Sequence, residues 1–100
     1  MLTLPIKKKW FDMILSGEKK EEYREKKPYY TSRFYNLVNV WRDDETTVVP
    51  ILFRNGYSNN SPTIKCMVTI GEQYGGNTNW GAEPNKEYYV LKILSVEEVK

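Results

Sequence analysis

The sequence predicts an α+β domain in which two short helices pack on a small, largely antiparallel sheet. Three observations carry that expectation. Apolar residues Trp10, Met13 and Ile14 recur at helical spacing. Residues 63–74 and the start of 87–99 alternate apolar and polar with period two, as half-buried strands do. The chain has 100 residues, 40% of them apolar, which suits one core and one domain over residues 1–100. A count near five or six strands in so short a chain is enough to close into a small barrel.

The elements follow in order. MLTLPI (1–6) reads as a first strand, with Pro5 marking an edge position or the strand's end. Residues 8–16 read as a helix with Trp10, Met13 and Ile14 on one stripe and Phe11 and Leu15 widening it. Gly17 is placed to end that helix. Residues 19–26 lack helical periodicity and read as extended. Pro28 opens a second helix, PYYTSRFYNLV, whose Tyr30, Phe34 and Leu37 or Val38 share a face. TTVVPILF (46–53) is β-branched and reads as a strand, with Pro50 pointing to an edge or bulge. RNGYSNNSP (54–62) is a turn. In TIKCMVTIGEQY (63–74), Ile64, Cys66, Val68 and Ile70 share one face, which makes Cys66 a small core residue. Residues 75–86 read as a loop, and residues 87–99 as a last strand with Tyr89, Leu91 and Ile93 on one side.

Composition excludes several chemistries. With one cysteine and no histidine, an internal disulfide, a Cys/His zinc site and a His-activated nucleophile are all ruled out. No metal and no cofactor are expected. No apolar run approaches the roughly 20 residues that span a bilayer, and Lys7-Lys8-Lys9 interrupts any signal-like segment, so a cytoplasmic protein is expected. Net charge is only +2, which does not favour a long duplex as partner. The first fifty residues carry ten Lys and Arg against eight Asp and Glu, so any positive surface is built mainly there.

The most charged stretch is GEKKEEYREKK (17–27), with nine charged residues out of eleven. Taken alone, such a run is a solvated face whose ion pairs contribute little. In a regular strand, however, Glu22 and Arg24 are same-face neighbours, and Lys19 joins them if the chain bends at the strand's start. Arg supplies a planar donor fork, Lys a mobile donor and Glu an acceptor, a set that suits an anionic or base-like ligand.

Gly17, Lys19, Glu22 and Arg24 spell G-x-K-x-x-E-x-R, preceded by a strand, Lys7 and a helix containing Trp10-Phe11. This arrangement resembles the ASCH domain family, a branch of the PUA-like β-barrel superfold. PYYTSRF (28–34), FRNGY (53–57) and WGAEPNKEYYV (80–90) resemble further segments of small phage and bacterial ASCH proteins, so the likeness runs over nearly the whole chain. The resemblance implies a PUA-like barrel of five or six mostly antiparallel strands with two flanking helices. It implies a cleft that binds RNA or a nucleotide, lined by Lys19, Glu22 and Arg24 with Lys7 nearby, and a structural role for Gly17. One branch of the family hydrolyses an acetylated cytidine with the motif Lys, a Thr where this chain has Glu22, and a Glu from a helical insertion. This sequence departs at Glu22 and is too short for the insertion, so that catalytic set does not carry over. Ribonuclease activity is also proposed in the family. Without histidine it would fall to Glu22, Lys19 or Tyr57, at displaced pKa values.

Further candidates have plain alternatives. Arg54, Asn55 and Tyr57 either form an ordinary turn or stand at the cleft rim. Trp80 either stacks on a base or plugs the end of the barrel. Arg33 is a candidate phosphate contact, while Tyr29 and Tyr30 read as packing residues. Glu72, at a strand end, reads as a solvated carboxylate or a site marker. The expected function is therefore a module binding RNA, a nucleotide or a modified nucleoside through Lys7, Lys19, Glu22, Arg24, Arg33, Arg54, Asn55, Tyr57 and Trp80. The rivals are a small hydrolase using Lys19 and Glu22, and a protein-interaction module.

Overall fold

The computed structural model describes residues 1–38 and 47–99. Strands β1 (Leu2–Pro5), β2 (Glu21–Glu25), β3 (Val49–Arg54), β4 (Thr63–Tyr74) and β5 (Glu87–Val99) form one sheet, with helices α1 (Lys8–Leu15) and α2 (Pro28–Tyr35) between its first three strands. The strand order is β1-β3-β4-β5-β2. Three pairings are antiparallel, but β1 lies parallel to β3, so the sheet is mixed. It curls into a half-barrel. The expected barrel is met only in part: among the described residues β1 and β2 are the two edges of the sheet and do not pair. The Arg24 guanidinium of β2 stands between the edges, its Nη2 donating to the Pro5 carbonyl of β1 at 2.9 Å.

Local chemistry sets the element ends. Pro5 ends an edge strand. Helix α1 buries Phe11 and Ile14, while Leu15 stays 37% exposed, so the inward stripe is narrower than its apolar residues suggest. Gly17, at φ +85°, takes the left-handed turn past the helix end that a side chain would strain. That turn brings the Lys19 N–H back to the Met13 carbonyl at 2.9 Å and supplies the bend that puts Lys19 beside Glu22. Pro28 sits in the first turn of α2, and the helix ends at Tyr35, earlier than the expected residue 38. Phe34 and Val38 are buried all the same. Strand β3 begins at Val49, and Thr46, expected to start it, lies outside the described residues. β3 is an interior strand rather than an edge. Pro50 is accommodated because it precedes Ile51, which is paired with Leu2 at the start of the β1 ladder, and so lies beside β4 alone.

The main core joins Phe11, Ile14, Phe34 and Val38 to the inner face of the sheet, where Leu4, Ile51, Phe53, Ile64, Cys66, Val68, Ile70, Tyr89 and Leu91 meet. A bulge lies between Met67 and Val68 on β4, opposite Ser95 and Ile93 on β5. Leu94 is the extra residue, so the inward set on β5 runs Tyr89, Leu91, Ile93 and then Val96. A smaller cluster, Ala82, Tyr88 and Val90 with Tyr23, covers the other face of β2 and β5. Among the described residues no helix is long and apolar enough to cross a membrane.

Candidate functional site

Strand β2 turns two kinds of residue in opposite directions. Glu22 and Arg24 pair with Leu91 and Tyr89 and face the main core. Tyr23 pairs with Val90 and faces the loop of residues 75–86. Glu22 and Arg24 are thus same-face neighbours, as the alternation predicts, but they enter a core. Their exposures are 5% and 8%, and that of Lys19 is 1%.

These three form a closed ionic cluster. Lys19 Nζ lies 3.1 Å from Glu22 Oε1, and Arg24 Nη2 lies 2.7 Å from Glu22 Oε2. Two cations therefore enclose one carboxylate. Burial holds the Lys19 ammonium below its usual pKa, with Glu22 opposing that fall. Burial also pulls on Arg24, but Glu22 and Tyr30 outweigh it and the net direction is upward.

The donors of Arg24 can be followed one by one. Nε donates to Glu22 Oε2 at 3.1 Å, Nη2 to Glu22 Oε2 at 2.7 Å and to the Pro5 carbonyl at 2.9 Å, and Nη1 to the Tyr30 hydroxyl at 3.1 Å. A guanidinium has five N–H groups. One on Nη1 is left without an acceptor among the described residues, on a side chain that lines a cleft. Lys19 is committed differently. Its Nζ donates to the Trp80 carbonyl and sits 4.5 Å from the Trp10 ring centroid and 5.3 Å from that of Tyr23. Lys19 does not line the cleft. It fixes Trp10 and Trp80, which do.

The cleft, of about 450 Å³, opens between the α1 N-terminus, β2 and the 75–86 loop. Its aromatic walls are Trp10, Tyr23, Tyr30, Trp80 and Tyr88, with Glu22 and Arg24 inside and Lys7, Glu25, Lys27, Glu83 and Lys86 at the charged rim. Two tyrosines anchor the loop. The Tyr23 hydroxyl accepts from the Asn77 N–H at 2.9 Å and donates to Glu21 at 2.7 Å, and the Tyr88 hydroxyl accepts from the Glu83 N–H at 2.8 Å. Burial and the Glu21 hydrogen bond push the Tyr23 phenol up to about 12. The rim charges largely pair: Glu25 holds Lys27 at 3.2 Å and also Lys86, which reaches Glu83 at 3.4 Å. The exposed Lys7 ammonium has no ion pair among the described residues.

The remaining expected residues lie elsewhere. Asn55 and Tyr57 line a second groove of about 320 Å³ with Pro5, Ile6, Lys7 and Gly56. Arg54 lines neither groove; its Nε lies 3.5 Å from the Thr63 hydroxyl. Arg33 lies over the Tyr29 ring, 3.5 Å from its centroid, and donates to the Tyr29 carbonyl, away from the cleft. Glu72 pairs with Lys26 at 2.8 Å in a separate hollow. Cys66 is buried in the core as expected, and burial pushes its thiol up to about 12.

Sequence reasoning missed Trp10 and the wall role of Tyr30, both read as packing. A signal for Trp10 was present: it stands three residues after Lys7, a spacing that puts both on one side at the helix start. Among the described residues no group of His, Cys, Asp and Glu could hold a metal ion. No family model, curated protein or solved structure matches the chain.

Proposed function

We propose that this chain is a binding domain of the ASCH type that takes RNA, a nucleotide or a modified nucleoside into the cleft of Trp10, Arg24 and Trp80, in the cytoplasm. The observation that carries the reading is Arg24. It is buried, held in a fixed plane by Glu22, Pro5 and Tyr30, and retains one N–H donor at an aromatic cleft. A planar donor preset in that way suits the acceptors of a base edge or a phosphate. The surrounding rings supply faces on which a base stacks, and Lys7 supplies a cation for phosphate. The cleft volume falls in the range of small-ligand sites.

A hydrolase reading with Lys19 and Glu22 as the working pair has less support. Lys19 lies behind the wall at 1% exposure, with its ammonium given to Glu22 and Trp80.

A thermal-shift screen against nucleosides, acetylated cytidine, nucleotides and short single-stranded RNA tests the proposal. A ligand at a hundredfold over its Kd stabilises the native state by about 2.7 kcal/mol, which raises Tm by roughly 10–20 °C in a domain of this size. The shift is expected to disappear in Arg24→Lys, which keeps the charge and loses the fork, and to persist in Arg33→Ala. No shift with any of these ligands at low salt refutes the proposal.

A further inference from the structure

The second groove adjoins the main cleft. It shares Pro5, Ile6 and Lys7 with the main cleft, so the two hollows meet along one short segment, the end of β1 and the start of α1. Each alone is large enough for a small ligand, at about 450 and 320 Å³. At the junction stands Lys7, the rim lysine whose ammonium has no ion pair among the described residues. Lys7 also stands at the N-terminal boundary of α1, whose first turn contains no acidic residue, so the helix end adds to the positive potential there. At the far end Tyr57 is 91% exposed on the turn after β3. Packing does not explain an aromatic ring so open to solvent. The turn itself is firmly set, with the Asn55 N–H bonded to the Pro62 carbonyl at 2.9 Å.

Resting on the nucleotide-binding reading of the cleft, we infer that its ligand is a single-stranded oligonucleotide that occupies both grooves. One nucleotide enters between Trp10, Arg24 and Trp80. The phosphodiester crosses Lys7. The neighbouring base stacks on Tyr57. The order aromatic, cation, aromatic matches the alternation of base and phosphate along a single strand. A free nucleoside would leave Lys7 and Tyr57 without a partner. A duplex would keep its bases in the stack and away from both rings.

The test is affinity against length. Adenosine 5′-monophosphate and oligoadenylates of two, three and six nucleotides, in ribo and deoxy form, are titrated into wild type, Tyr57→Ala and Lys7→Gln by calorimetry. Tyr57 is exposed, so its truncation leaves the fold intact, and far-ultraviolet circular dichroism checks this for both variants. Wild type is expected to gain about 5- to 100-fold from the mononucleotide to the trinucleotide. Tyr57→Ala is expected to lose that gain while binding the mononucleotide as before. Lys7→Gln is expected to flatten the salt dependence for oligomers by about 0.7 in the log–log slope. Preference between the ribo and deoxy series identifies the source of the strand. Mononucleotide binding with no gain on lengthening, or a gain that survives Tyr57→Ala, overturns the two-groove inference and leaves the cleft reading standing. No binding by any member of the series overturns both.

Discussion

Replacing Glu22 with Gln keeps the shape of the side chain and removes the charge that two buried cations share. Lys19 Nζ lies 3.1 Å from one carboxylate oxygen and Arg24 Nη2 2.7 Å from the other. The side chains involved are 1%, 7% and 9% exposed, so water does little to screen them. Removing one partner from a buried pair costs about 3–5 kcal/mol, because the charge left behind is uncompensated. Here two cations are left, and the upper part of that range is expected. For a domain of this size a loss of about 4–5 kcal/mol corresponds to a fall in Tm of roughly 16–40 °C. Without Glu22 the Lys19 ammonium loses the interactions that oppose its fall and titrates lower still. A lysine with a depressed folded pKa binds fewer protons folded than unfolded between that folded value and the usual lysine value of 10.5. The variant therefore gains stability as pH rises from the folded pKa of Lys19 toward 10.5, more than wild type does. Urea unfolding between pH 7 and 10, followed by tryptophan fluorescence, measures both effects. Adding Lys19→Met to Glu22→Gln removes one stranded cation and is expected to restore part of the loss. A cost below about 1 kcal/mol, the scale of an exposed ion pair, would mean that the cluster is solvated and not a buried one.

Two further predictions concern the packing around the cleft. A Cβ on Gly76 would stand 2.6 Å from the Tyr23 ring and 2.9 Å from Ala82 Cβ, and Tyr23 is held by hydrogen bonds to Glu21 and Asn77. Gly76→Ala is therefore expected to cost about 1–3 kcal/mol in denaturant unfolding and to loosen the 75–86 loop, whereas an unchanged midpoint would mean that the loop moves freely off Tyr23. The Cys66 thiol is pushed from 9 to about 12 by burial, so the unfolded chain releases its proton first and stability falls by about 1.4 kcal/mol per pH unit above pH 9. Cys66→Val is expected to remove that part of the alkaline slope; equal slopes for both proteins between pH 9 and 10.5 would contradict it.

Much of the fold is legible in the sequence because its cause is local. The period-two run Ile64, Cys66, Val68, Ile70 needs only a pleat to share a face, and Phe34 needs only a helical turn to reach the core. What is not local is less legible. The parallel pairing of β1 with β3 depends on where the rest of the sheet places its edges, which no short pattern encodes. The bulge that moves Val96 rather than Ser95 inward arises from pairing with β4 across the sheet. Within the site, the alternation predicts Glu22 and Arg24 side by side. It does not predict that their face of β2 is the core face, nor that Lys19 reaches across to the Trp80 carbonyl, a contact between residues far apart in the chain. Trp10 was hidden because a wall residue and a core residue have the same helical spacing.

Binding of a single strand in the cleft of Trp10, Arg24 and Trp80 is best observed by nuclear magnetic resonance titration of the wild-type protein with a short single-stranded RNA at low salt. The indole N–H signals of Trp10 and Trp80 and the Arg24 Nε–H signal are expected to move together and saturate, while the amides around Glu72 and Tyr74 stay in place. Shifts confined to that distant hollow, or no shifts at saturating RNA, would contradict it.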